Sequence, residues 1–143
     1  MNIDKITAML VREEGEVLSE YKDHLGYSTI GVGRLIDGRR GGGISKEESR
    51  YLLANDIKAK AAHARAYPWF DALDEARQAV VVGMIFQMGS AGFAQFHNTI
   101  RKIAEGDYAG ASASMLNSKW ARQTPERAHR MAAIMKTGCW TYT

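Results

Sequence analysis

Apolar residues recur at Ile3, Ile6, Met9 and Leu10, the three-and-four spacing of one helix face, and the run stops at Gly15. Asn2 stands where a side chain can cap the first turn. The period then changes. Val17 to Tyr21 and Tyr27 to Leu35 are strand-like runs joined through Lys22, Asp23, His24, Leu25 and Gly26, which predicts a small hairpin, with Gly31 and Gly33 sparing room on its second strand. Asp37 to Gly43 has turn composition and no packing pattern, which predicts a flexible connection. Ser45 and Glu48 form a capping box ahead of Tyr51, Leu52, Leu53 and Ile57, so a long helix begins there and runs through an Ala-rich stretch toward Pro68. Asp74 caps an apolar segment from Glu75 to Met88 that ends at Gly89 and, being apolar on most sides, is the expected buried centre. Shorter helices are expected from Phe96 to Ala104 and from Tyr108 to Met115. A last one opens at Thr124-Pro125 and runs to about Lys136 before Gly138. The pattern is that of a mainly helical α+β chain without internal repeats.

A chain of 143 residues with 45% apolar content makes one domain, or two small lobes sharing a helix, with a real core. The net charge of +3 favours anionic polymers without choosing among nucleic acid, lipid surface and cell wall. Cys139, the single cysteine, permits no internal disulfide and reads as a small buried residue. The N-terminus lacks a basic start followed by an apolar run, and no stretch approaches the ~18 apolar residues of a membrane span. Synthesis in the cytoplasm without stable membrane insertion is therefore expected. Arg39 to Gly43 is a single arginine-glycine copy without repeated aromatics, better read as a solvated turn than as an RNA-binding segment, and no nucleic-acid partner is expected. His24, His63, His97 and His129 lack the spacing of a zinc site; they read as solvated, and no metal is expected. Trp120 and Trp140 read as core.

Candidate chemistry is concentrated near the N-terminus. Glu14 falls at the end of the first helix, where unpaired carbonyls oppose negative charge, and Asp23 falls in the turn between the strands. Two carboxyl groups in unlike settings are what glycoside hydrolysis requires, one to deliver a proton and one to stay ionised.

The segments Glu14-Gly15, Tyr21-Lys22-Asp23, Gly26 to Gly33, Ile85 to Gly89, Trp120, Gln123 to Ala128 and Thr137 to Trp140 resemble, in the same order, the phage T4-type lysozymes. The resemblance spans nearly the whole chain. It implies a lysozyme fold in which a small hairpin lobe at about 14–58 is joined by a long helix to a helical lobe made of about 1–13 and 67–143, with a cleft between. It implies cleavage of the N-acetylmuramic acid to N-acetylglucosamine bond of bacterial peptidoglycan by a monomer without a cofactor. Glu14 would be the acid, Asp23 the second carboxylate and Thr29 the hydroxyl that helps place the attacking water. Gly33, Gln87 and Phe96 would lie along the substrate, and Arg127 would be the arginine that pairs with the glutamate. Such an enzyme serves phage or prophage lysis, reaching the wall through a separate holin-type membrane lesion.

Two departures stand out. Arg34 occupies the position of a family histidine, and Asp56 on the following helix is retained as its expected partner. The loop from Asp37 to Ile44 is markedly shorter than in the family. A lytic transglycosylase, which needs one glutamate, or a non-catalytic wall-binding module are the alternative readings. Retention of both Asp23 and Thr29 argues against the first, and the intact pair of carboxylates, Glu14 and Asp23, against the second.

Overall fold

In a computed structural model of the protein, which describes residues 1–141, the chain divides into two compact units, Met1–Tyr51 and Leu52–Thr143. The division falls inside the long helix. It groups residues 1–13 with the hairpin, whereas the sequence reading assigns them to the helical lobe.

The first unit opens with α1 (Ile3–Glu14), whose first turn is capped by Asn2 through a 3.0 Å bond from the Lys5 amide. Its apolar stripe is not buried: Ile3, Ile6, Met9 and Leu10 all remain exposed. Strands β1 (Val17–Lys22), β2 (Ser28–Gly31) and β3 (Arg34–Leu35) form an antiparallel sheet in that order, so the expected hairpin is a three-stranded meander. The second run breaks because Gly31 and Gly33, both at φ 66°, adopt a left-handed conformation open to glycine, turning the chain at Val32. Thr29 lies on the central strand, opposite Tyr21 and Leu35.

The segment after β3 is not the flexible connection its composition suggests. Asp37, buried, accepts a bond from the Arg39 amide and caps a 3₁₀ turn over Gly38–Arg40, which Gly41 closes in a left-handed conformation. Gly42 and Gly43 then donate to the carbonyls of Asp37 and Leu35 at 3.1 Å each. A Cβ on Gly42 would come within 2.7 Å of the Leu35 carbonyl oxygen, so only glycine permits that approach.

Helix α2 (Lys46–Ala64) starts with the expected reciprocal box: the Glu48 amide donates to Ser45 Oγ at 3.1 Å, and the Ser45 amide donates to Glu48 Oε2 at 2.7 Å. The second unit is built on α3 (Glu75–Ala94), capped by Asp74 and broken at Gly89 (φ 79°, ψ 166°), where the sequence places its end. Ala76, Val80, Val81, Met84 and Ile85 are buried along it, and Phe93 beyond the break. Around it lie α4 (His97–Ala104), α5 (Tyr108–Leu116), α6 (Lys119–Gln123) and α7 (Pro125–Thr137). Helix α5 packs on α4 and α7, and α7 also meets α3 and α6. Short α6 escapes the periodicity reading, although Ser118 caps it from the Ala121 amide. Thr124 precedes Pro125 but makes no side-chain cap, because its hydroxyl donates to the Trp120 carbonyl at 3.0 Å. Trp120 is buried as expected; Trp140 and Cys139 are exposed, in contrast to the core roles read for them, because the chain leaves the helical packing at Gly138. The four histidines are exposed. Among the described residues no single helix is long and apolar enough to cross a membrane.

Candidate active site

The turn from Asp23 to Tyr27 is built around one side chain. Asp23 Oδ1 accepts the Leu25 amide at 2.9 Å and the Tyr27 amide at 2.8 Å, while the Asp23 amide donates to the Tyr27 carbonyl at 2.9 Å. This is the local bonding that makes aspartate a turn residue, with Gly26 supplying the positive φ. Both amides use the same oxygen, so Oδ2 has no hydrogen-bond donor within this unit. Lys22, the adjacent cation, is drawn elsewhere: its ammonium donates to Glu20 at 3.1 Å and Ser28 at 2.5 Å. The Ser28 hydroxyl and then Lys22 hold the Glu20 carboxyl below its ordinary range.

Thr29 is buried, and its hydroxyl donates to the Tyr27 carbonyl at 2.9 Å. With its proton committed, the oxygen has lone pairs left to accept from a water. Tyr27 thus ties both residues together through its main chain: its N–H fixes Asp23 and its carbonyl fixes Thr29. No sequence signal pointed to Tyr27, because its contribution is carried by backbone atoms.

Glu14 ends α1, with Gly15 as C-cap donating to the Val11 carbonyl at 3.0 Å. Its carboxylate lies over the turn between β2 and β3. A Cβ built on Gly33 would be 3.2 Å from Glu14 Oε2, so a glycine there leaves the acid its place. Arg34, next along, meets a partner other than the one expected. Its guanidinium forks onto Glu48, with bonds of 3.1 Å to Oε2 and 2.6 Å to Oε1, in place of Asp56. Glu48 opens α2 and Asp56 is two turns further along it, about 12 Å by helical rise, so one arginine fork engages only the nearer carboxylate. Arg34 and then the Ser45 amide hold the Glu48 carboxyl at about 2.

In the helical unit, Trp120 Nε1 donates to Gln87 Oε1 at 2.9 Å, and Phe96 meets Trp120 edge to face with centroids 6.0 Å apart. Gln87 and Phe96, singled out separately in the sequence, are thus joined by one indole. Phe96 and Trp120 form one wall of a groove of about 410 Å³, completed by Thr99, Ser114, Asn117 and Lys119. The Thr99 hydroxyl, buried, donates to Ser114 Oγ at 3.1 Å. Apolar faces beside amide and hydroxyl groups suit a polar ligand with carbon faces. Arg127 is exposed on the first turn of α7, beside a shallow depression lined by Thr124, Pro125, Glu126 and Arg130. Among the described residues no three His, Cys, Asp or Glu side chains gather as a metal set.

The phage lysozyme family model matches residues 11–135, a span that contains Glu14, Asp23, Thr29, Gln87 and Arg127. Probable T4-type lysozyme 1 of Dictyostelium discoideum is 30% identical, over 95% of this chain and 96% of that protein. The pre-baseplate central spike protein Gp5 of Enterobacteria phage T4 is 32% identical over 91% of this chain, which corresponds to 27% of its own length. Peptidoglycan hydrolase gp36 of Pseudomonas phage phiKMV is 34% identical over 76% of this chain and 12% of its own. The chain belongs to the phage lysozyme family and is a peptidoglycan-degrading glycoside hydrolase.

Proposed function

We propose that this chain hydrolyses the N-acetylmuramic acid to N-acetylglucosamine bond with inversion, Glu14 acting as the acid and Asp23 with Thr29 holding the water. The observation that carries this reading is the asymmetric use of Asp23: Oδ1 is tied to two amides while Oδ2 is left to take a proton. Thr29 can only accept from the same water, which turns that water's lone pair toward the sugar. As the new C1–O bond forms, Oδ2 of Asp23 takes the water's proton; as the glycosidic bond breaks, Glu14 gives its proton to the leaving oxygen. Positive charge growing on the ring in between is offset by the Asp23 carboxylate.

Gly33 leaves space beside Glu14 for the sugar; Phe96 contacts the glycan in the groove it lines with Trp120, and Gln87, the acceptor of the Trp120 ring N–H, takes the substrate-binding role that resemblance assigns it. Arg127 takes the supporting role that resemblance assigns it. The enzyme acts as a monomer, is made in the cytoplasm of an infected or lysogenic bacterium, and reaches the wall through a separately made membrane lesion.

Mass spectrometry of digested peptidoglycan combined with proton NMR of the first-released anomer tests the reaction. Reducing ends with an inverted anomer are expected. Anhydro ends would make it a transglycosylase, and a retained anomer would make Asp23 the nucleophile.

A further inference from the structure

We propose that Arg40 is a positioning residue for hydrolysis: from the shortened loop it clamps the ring of Tyr27, the residue whose main chain aligns both Asp23 and Thr29. The inference rests on the proposed roles of Asp23 and Thr29. The Arg40 guanidinium carbon lies 4.5 Å from the Tyr27 ring centroid, inside the range in which a cation is attracted to an aromatic face. Tyr27 stands just before β2, outside the strand ladder, so its side chain needs a separate anchor. Three bonds of the proposed site pass through its main chain, from its N–H to Asp23 Oδ1 and to its carbonyl from the Asp23 amide and the Thr29 hydroxyl. A rotation of the Tyr27 peptides would displace the carboxylate and the hydroxyl together.

Arg40 is itself held in place. Its amide donates to the Asp37 carbonyl at 3.0 Å, and the buried Asp37 carboxylate is gripped by the Arg39 amide, Nε and a terminal guanidinium nitrogen at 3.0, 3.0 and 2.6 Å. The Ile36 amide, one residue before, donates to the Ser28 carbonyl at 2.9 Å, which fixes the start of this turn to the residue after Tyr27. The two neighbouring arginines therefore divide the work. Arg39 locks the turn through Asp37, and Arg40 projects onto Tyr27.

The test uses the full chain with Arg40→Ala and Arg40→Lys, a soluble glycan substrate, and amide exchange followed by NMR. Arg40 is exposed, so neither variant threatens the core. Arg40→Ala is expected to lower kcat about 10-fold with KM changed less than about twofold, because alignment of the water is lost while the groove is untouched. Exchange of the Tyr27 amide should quicken several-fold while the amides of α3 keep their rates. Arg40→Lys, which keeps a cation over the ring, should recover most of kcat. An unchanged Tyr27 amide in Arg40→Ala overturns the clamp. Faster exchange with unchanged kcat overturns its part in catalysis. Full activity in Asp23→Asn would instead overturn the reading on which the inference rests, and the inference with it, whatever the exchange data show.

Discussion

At Gly33 two constraints meet in one residue: the backbone is at φ 66°, and an added methyl would sit 3.2 Å from the Glu14 carboxylate. Gly33→Ala should therefore cost about 1 kcal/mol of stability in urea unfolding for the backbone conformation. It should also lower the lytic rate by more than that loss of folded enzyme explains. Glu14→Gln removes the transferable proton while keeping the side chain's size; the expected result is a rate on purified peptidoglycan lowered about 10²–10⁴-fold with an unchanged melting curve. More than half the wild-type rate would move the acid to another residue, Glu13 first. Positions set by a residue's own side chain in a local pattern, such as Glu14 at a helix end and Asp23 in a turn, are legible in the sequence. Tyr27 is not, because what it supplies is an N–H and a carbonyl that every residue possesses. Trp120 read only as core, because nothing local reveals that its ring nitrogen reaches Gln87.

Among elements, the start of α2 shows where local reading stops. The Ser45–Glu48 box joins residues three apart and could be read directly, but the arginine that shares Glu48 comes from β3, 14 residues earlier, and its expected partner was Asp56. The loop of Asp37 to Gly43 was misread for a related reason. Its glycines signal freedom, and the carboxylate that removes it is a single buried residue. Glu48 and Asp37, the latter held by Arg39, both have carboxyls lowered to about 2. Because these folded values lie below the unfolded ones, the stabilisation is complete above about pH 4.5, the ordinary glutamate value, and is lost as pH falls toward 2. Amide exchange in β2 and β3 should accelerate over that interval in the wild type, after correction for intrinsic rates. In Glu48→Gln, which has already lost the charged bond, the acceleration should be smaller. In the helical unit Arg77 joins three elements: it donates to the Met135 and Lys136 carbonyls at the end of α7, at 2.7 and 3.0 Å, pairs with Asp74 at 2.6 Å, and covers the Tyr108 ring of α5 at 3.8 Å. Arg77→Ala leaves those helix-end carbonyls without their donor and should cost about 2–3 kcal/mol in urea unfolding.

At the scale of the molecule, every buried hydrophobic residue among those described, from Ala64 to Met135, belongs to the helical unit. The buried residues of the first unit are polar, Thr29 and Asp37. One unit thus has an apolar core and the other is organised by a sheet, carboxylates and turns. Such a division predicts that the amides of α3, α5 and α7 exchange only on global unfolding, while those of β1 to β3 exchange through smaller openings. On heating, catalytic activity should disappear several degrees before the helical signal in circular dichroism; coincident transitions would show that the two units melt together. The tethered turn around Asp37 then takes on a practical meaning. A stored or heated sample that keeps most of its helix, that of the second unit, would then already be dead, so a spectrum that certifies the helical fold certifies little about potency. Shelf life would be extended by substitutions within that small turn more than by any improvement to the core.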